Sequence, residues 1–322
     1  MDDTRKSGVR YSVVFPGREA FYKEFDINFY NNFELVRDIY GVVSEEFKRD
    51  FYKFTFIEKD TKNSSAWSTI YLITYCYSIY SLLKVNGFVA SAFAGYSQGE
   101  FTAVAAANCL KLTDTLKLVR KLEQYILEDE VILMGKMARV VGLSRDKLIK
   151  CCNEVNCKTN ERRKSVDISI YLSEDQNIIS GSCDAIEHAQ YLIKQSGARW
   201  VIPLDTGGAY HCNLCSNLEK KSKDVFDEIN FLDVDTPIYT CSTGTKSNNG
   251  NEIKNRLSRQ VSNAMHWNLV IDGFYKQGIN MVIEIGPGCT VSGNSRIINN
   301  DMEYLWVTTL NDYDKFISLI GG

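Results

Sequence analysis

Apolar and polar positions along this 322-residue chain change period several times, and each change marks an element. Residues 11–15, Tyr-Ser-Val-Val-Phe, are a short apolar run closed by Pro16-Gly17, which reads as a strand and a turn. Residues 20–60 are aromatic and charged at helical spacing, with no deep core signal. Residues 64–83 carry no charge and are rich in Tyr, Ile and Leu, yet also in Ser and Thr, and they open on Ser64-Ser65. They read as a buried, serine-capped helix inside a globule rather than a membrane span. The apolar run 87–93 reads as a buried strand, the alanine-rich 101–110 as a helix, and 113–129 as a further helix. Strands alternating with helices predict a parallel sheet with crossover connections.

The pattern changes near Lys136. Residues 137–141 read as a strand and 144–155 as a helix capped by Ser144. Two strands at 166–171 and 177–181, a helix at 184–196 and a strand at 199–204 complete a β-α-β-β-α-β unit, the ferredoxin-like arrangement. The first kind of pattern then returns through 238–240 and 281–288. The expected fold class is therefore α/β. A large α/β-hydrolase-like subdomain with a parallel sheet spans 1–135 and 206–322, and a ferredoxin-like small subdomain, 136–205, is inserted into it.

Composition narrows the function classes. A hydrophobic fraction of 44% and a charged fraction of 24% are those of an ordinary soluble globule. The net charge is −3 and no long basic run occurs, which argues against nucleic acid as a partner. Glu161-Arg162-Arg163-Lys164 and Lys220-Lys221-Ser222-Lys223 are short clusters, read as solvated surface or, alternatively, as a landing spot for an acidic partner. The ten cysteines include the adjacent Cys151 and Cys152 and a Cys212-x-x-Cys215 pair without a second pair, which is no zinc pattern. Free thiols in a reducing compartment fit best, and the charged N-terminus lacks the apolar core of a signal peptide, so a cytoplasmic protein is expected. No metal or redox cofactor is implied, and nothing demands more than a monomer.

The chemistry concentrates at Gly95-Tyr96-Ser97-Gln98-Gly99, a Gly-x-Ser-x-Gly turn between the apolar run and the alanine-rich helix. A serine on a sharp strand-to-helix turn is a nucleophile elbow: the glycines permit the bend, and the helix N-terminus offers N–H groups to an oxyanion. Such a serine needs a general base, most often histidine, and the chain has three. His188 lies mid-helix at a surface position, and His266, before Trp267, reads as a packed structural residue. His211 follows the last strand of the insert on a glycine-rich loop at a domain junction, where a cleft would lie. By elimination, His211 is the expected base.

With these residues in place the chain resembles the malonyl-CoA:acyl-carrier-protein transacylase family, the acyltransferases of fatty-acid and polyketide synthesis. The motifs that carry the likeness run the whole length: Phe15-Pro16-Gly17, Gly95-Tyr96-Ser97-Gln98-Gly99-Glu100, Asn177-Ile178-Ile179-Ser180-Gly181, Tyr210-His211-Cys212-Asn213-Leu214, Arg259-Gln260 before Trp267, and Glu284-Ile285-Gly286-Pro287-Gly288. The resemblance implies that Ser97 is acylated by a thioester and that His211 serves as general base and acid. It further implies that the backbone carbonyl of Gln260 orients His211, and that the N–H groups of Gln98 and Arg18 form the oxyanion hole. The implied partner is an acyl carrier protein, with its phosphopantetheine or coenzyme A arriving as substrate rather than as a bound cofactor.

Two departures bear on the substrate. Family members that use malonyl groups hold the free carboxylate with an arginine on the helix after the elbow. An ungapped count puts Leu122 at that position, and a two-residue shift puts Gln124 there. Where the family often has asparagines before the hairpin, this chain has Ile170 and Leu172. A carboxylate left unpaired against such residues costs several kcal/mol, so an uncharged acyl group is expected, bound among Leu122, Gln124, Ile170, Leu172 and Tyr210. The second departure is Gly17-Arg18-Glu19-Ala20-Phe21 in place of the family's Gly-Gln-Gly-Ser-Gln. There Arg18 either replaces the missing arginine or faces solvent or pairs with Glu19. The expected function is hydrolysis of non-carboxylated acyl groups from acyl carrier protein, as in the free-standing acyltransferase-like hydrolases of polyketide assembly lines. The alternatives are a transacylase, loading acetyl-type groups or malonyl through Arg18, and a catalytically dead docking module.

Overall fold

The computed structural model describes residues 9–58, 67–158 and 164–321. The expected serine cap at Ser64-Ser65, the basic cluster around Arg162 and the charged N-terminal residues lie outside them. Among the described residues, ten strands form two sheets. The larger has the order β10-β9-β1-β2-β7-β8, built from β1 (Tyr11–Phe15), β2 (Ala92–Gly95), β7 (Ile238–Thr240), β8 (Thr245–Ser247), β9 (Met281–Ile285) and β10 (Glu303–Val307). All its neighbours run parallel except the β7–β8 hairpin. Buried on both faces, the central strands carry the near-continuous apolar runs that such burial favours.

The second sheet, β4-β5-β3-β6, is antiparallel throughout and is made of β3 (Lys136–Val141), β4 (Val166–Tyr171), β5 (Gln176–Gly181) and β6 (Trp200–Leu204). Helices Arg145–Cys157 and Cys183–Gln195 cover one face over Ala138, Val140, Ile168 and Ile179. The other face carries Met137, Ile170, Ile178 and Leu204 and turns toward the large sheet. The chain closes this junction through Met265, whose N–H donates to Ser169 O (2.8 Å) while its carbonyl accepts the Tyr171 N–H (2.8 Å).

Three local expectations are corrected. Within the run 87–93 the ladder begins only at Ala92, because Gly87 turns the chain at φ 85° before the strand starts. Ser144 stands at the N-cap of its helix but its hydroxyl makes no capping bond, whereas Ser182 does cap the next one, accepting from the Ala185 N–H at 3.3 Å. The aromatic segment 20–60 is not superficial. Phe29, Tyr40, Phe51 and Phe56 are buried: Phe29 and Phe56 meet Tyr75, and Phe51 meets Tyr71, edge to face from the helix Ser68–Val85, while Tyr40 stacks on Phe56. Among the described residues no helix is long and apolar enough to cross a membrane.

Two buried carboxyls brace the loops around the junction. Glu100 accepts the Cys241 N–H (2.7 Å), and Glu284 accepts those of Val291 (3.2 Å) and Ser292 (2.7 Å). Under the elbow, Trp267 is fully buried, stands edge-on to Tyr96 at 5.3 Å, and donates Nε1–H to Ser295 Oγ at 3.0 Å. Trp267→Ala should cost about 3–5 kcal/mol, chiefly through the cavity it leaves, read as a lower urea midpoint at unchanged slope.

Candidate active site

β2 ends at Gly95, and the elbow helix, Gly99–Ala106, starts four residues later. The bend between them is tight. A Cβ on Gly95 would lie 1.9 Å from the Gly99 carbonyl carbon, and one on Gly99 would lie 2.2 Å from Phe15 O. Only glycine fits at either place. Ser97 pays for the bend with a left-handed backbone, φ 54°, and His211 across from it has φ 59°. Such conformations in non-glycine residues store about 1–3 kcal/mol each and persist only where the surroundings enforce them.

Here the enforcing residue is Gln260. Its side-chain Nε2–H donates to Ser97 O at 2.5 Å, while its own carbonyl accepts from His211 Nδ1 at 2.9 Å. The His211 N–H donates to the next carbonyl, Val261 O, at 2.8 Å. With Nδ1–H given to a carbonyl, Nε2 is left as the acceptor, and it lies 2.8 Å from Ser97 Oγ. So placed, Nε2 can take the hydroxyl proton of Ser97. Burial pushes the His211 imidazole down to about 4, against the opposing effect of its bond to Gln260, and so keeps it neutral at ordinary pH.

Ser97 opens into a cavity of about 500 Å³ walled by the small sheet and by the loops that follow β1 and β2. The helix Leu112–Leu127 presents Val119, Leu122, Glu123 and Ile126 to it, an i, i+3, i+4, i+7 stripe. Leu122, Ile170 and Tyr210 line the cavity. Gln124 is exposed on the far side of its helix, and Leu172 is buried in the core behind the wall; neither is on the wall.

Arg18 neither faces solvent nor pairs with Glu19. Its guanidinium lies 5.1 Å from the Tyr210 ring centre, and one terminal nitrogen sits 3.0 and 2.9 Å from the two carboxylate oxygens of Glu123. Glu123 is buried and also accepts from Thr69 Oγ1 (2.8 Å) and from the side-chain amide of Gln98. The pocket thus holds a neutral pair, not a bare cation. Glu123 escaped the sequence reading although it stands next to Leu122 and on the apolar stripe, where a carboxylate demands a partner.

Two more residues were missed. Arg139 shares with Met137 the cavity-facing side of β3, a charged residue at a core position of the strand alternation. It donates to Gln176 Oε1 (2.9 Å) and Asn294 Oδ1 (3.2 Å). Glu19, half-buried on the cavity wall, accepts the Gly17 N–H at 3.0 Å, and burial pushes its carboxyl up to about 7. His266 is stacked on Tyr171 (4.9 Å between centres, 3° between planes), away from Ser97's partner. Among the described residues no cluster of His, Cys, Asp and Glu could hold a metal ion.

Because His211 is held neutral, the rate of Ser97 labelling by a fluorophosphonate should stay within about twofold from pH 6.5 down to 5. It should fall only as pH drops through about 4, where the imidazole takes its proton. A solvent-exposed histidine would already have lost its basic form over that range. Glu123→Ala removes the carboxylate shared by Arg18, Thr69 and the Gln98 side chain and should cost about 1–3 kcal/mol in denaturant unfolding.

Comparison with known proteins bears on identity. No family model matches the chain. It is 28% identical over 237 residues, 74% of its length and 74% of the relative's, to Malonyl CoA-acyl carrier protein transacylase of Bacillus subtilis (strain 168). To the protein of the same name from Staphylococcus aureus (strain MSSA476) it is 24% identical over 302 residues, 94% of this chain and 96% of that one. The fold matches the crystal structure of MCAT from Streptococcus pneumoniae with a TM-score of 0.89 at 24% identity, over 96% of this chain and 100% of that one. It matches a malonyl-transacylase in complex with its type II PKS acyl-carrier protein equally well, with a TM-score of 0.89 at 22% identity over 96% and 99% of the two chains. In sequence and in fold, then, the chain is similar to the malonyl CoA-acyl carrier protein transacylases.

Proposed function

We propose that this protein removes uncharged acyl groups from the phosphopantetheine thiol of an acyl carrier protein, through an ester on Ser97. The observation that carries the proposal is the Ser97–His211–Gln260 chain of hydrogen bonds at the floor of a largely apolar cavity. His211 Nε2 takes the Ser97 proton as Oγ attacks the thioester carbonyl. The N–H groups of Gln98, at the N-cap of the elbow helix, and of Arg18 receive the developing oxyanion. One such donor is worth about 100- to 1000-fold in rate. His211 then gives the proton to the departing thiolate. Bonding of Nδ1–H to the Gln260 carbonyl steadies the imidazolium formed in between, with no carboxylate required.

Two features support an uncharged acyl group and a carrier-protein donor. Leu122, Ile126, Ile170 and Ile178 surround the space beyond Ser97, and the positive charge of Arg18 is already spent on Glu123. The helix Ser216–Asp227 lines the cavity with Leu218 and Phe226 and exposes Lys220, Lys221 and Lys223 on its other side. Lys220 and Lys223 suit an acidic partner docking beside the cavity mouth, while Lys221 is already paired with Glu128. One relative in the comparison is indeed a transacylase bound to its carrier protein.

A second reading, transfer of a malonyl-type group, is favoured by one specific observation. Arg139 faces the cavity and is bound only by the neutral side chains of Gln176 and Asn294, so its charge is not neutralised there. The names of the relatives point the same way.

Intact-mass spectrometry of the protein with acetyl-, longer acyl- and malonyl-carrier protein separates these readings. We expect acetyl and longer groups to appear on Ser97 and to be lost to water, with no adduct in Ser97→Ala. An adduct that leaves only onto fresh carrier protein would make the enzyme a transferase. Preferential malonyl loading, lost in Arg139→Ala, would establish the second reading, and no labelling at all would leave a docking module.

A further inference from the structure

Glu19 has no place in the chemistry so far. It stands where the family pattern has glycine, and it is neither paired with a cation nor turned to bulk solvent. Its Oε1 accepts the Gly17 N–H at 3.0 Å. A Cβ built on Gly17 would lie 3.0 Å from Glu19 Oε2 and 3.2 Å from Ser97 Cβ. Both groups therefore flank one point on the Gly17 backbone, and both line the same cavity. Glu19 Oε2 therefore lies no more than about 6 Å from Ser97 Cβ, within reach of one water hydrogen-bonded to both groups.

We propose that Glu19 is the general base that activates water against the acyl ester on Ser97. This rests on the acyl-enzyme reading above and specifies its second half. Water held by Oε2 attacks the ester carbonyl; a C–O bond forms to water oxygen while the proton passes to the Glu19 carboxylate. Collapse of the tetrahedral intermediate breaks the bond to Ser97 Oγ, which recovers that proton. The products are the free acid and the serine, and water is the only co-reactant. Thiols and water are thereby handled by different groups. His211 serves the thiol steps, and Glu19 supplies what a transferase lacks, a base placed to favour water.

Among the described residues, the charged and titratable groups around Glu19 are Tyr96 on the elbow, Cys76 on the helix Ser68–Val85, Glu284 on β9, His211, Arg139 and Asp205 on the cavity wall, and Arg18, engaged with Glu123. Burial raises the Glu19 carboxyl to about 7, so its basic form grows in as pH rises through neutrality.

The test compares wild type with Glu19→Gln, which keeps an acceptor for the Gly17 N–H but no base. The acetyl-Ser97 adduct is followed by intact mass after mixing with acetyl-carrier protein from pH 6 to 8.5, with and without added pantetheine. In Glu19→Gln we expect the adduct to accumulate, its loss to water to slow about 100-fold, and its clearance by pantetheine to persist. Formation of the adduct itself reports a folded site. In wild type, loss to water should rise through an apparent pKa near 7, and the variant should lack that rise. Equal loss to water in both proteins overturns the role of Glu19 alone. So does a hydrolysis rate that falls above pH 7 and increases in Glu19→Gln, which would make the carboxylate an opponent of the oxyanion. Absence of any adduct on Ser97 in both proteins overturns the acyl-enzyme reading and Glu19's role with it.

Discussion

The site depends on one residue being used twice. Gln260 grips the elbow by its side chain and the histidine by its backbone carbonyl. Ser97 and His211 lie 114 positions apart in sequence, both in strained left-handed conformations. Neither strained backbone stabilises the other. A single residue bonded to both converts two independent costs into one geometry, so the 2.8 Å contact between Oγ and Nε2 is set by the fold rather than by side-chain freedom. The tautomer follows from the same bond, since a carbonyl can only accept.

Around that fixed point the cavity balances burial against charge. Its wall is mainly apolar, yet it encloses Arg18, Glu19, Glu123 and Arg139. Arg18 and Glu123 satisfy each other, with Thr69 and the Gln98 side chain completing the carboxylate's shell. Arg139 leans on two amides. Glu19 has a single N–H from its own loop, and its proton affinity rises accordingly. These four environments differ through their partners, and the partners come from elements far apart in the chain.

That distance explains what the sequence could and could not reveal. Strand and helix order was legible because burial imposes period: the alternation of Met137, Arg139 and Val141 against Ala138 and Val140 marks the two faces of β3. The elbow was legible because its glycines sit where nothing else fits, and His211 because the other histidines lie on ordinary helical and capping positions. Pairings across the cavity were not legible. Nothing near Arg18 in sequence announces Glu123, 105 positions away, and Gln124 could be told from Leu122 only once the helix phase was known. The buried aromatics of residues 20–60 were missed for a related reason. Their charged neighbours disguise a face that packs edge to face against another helix.

The Arg18–Glu123 pair also constrains how this pocket can change over generations. An arginine introduced at Leu122 alone would arrive beside a buried carboxylate already prepared to bind a guanidinium, and would be captured before any substrate carboxylate reached it. Removing Glu123 first takes away the carboxylate that Arg18, Thr69 and the Gln98 side chain share, a loss of about 1–3 kcal/mol. Acquisition of a carboxylate clamp on this helix is therefore a two-step path with an unfavourable midpoint in either order. Such a path acts as a ratchet: a lineage that has installed the pair keeps it after the selection that installed it has relaxed.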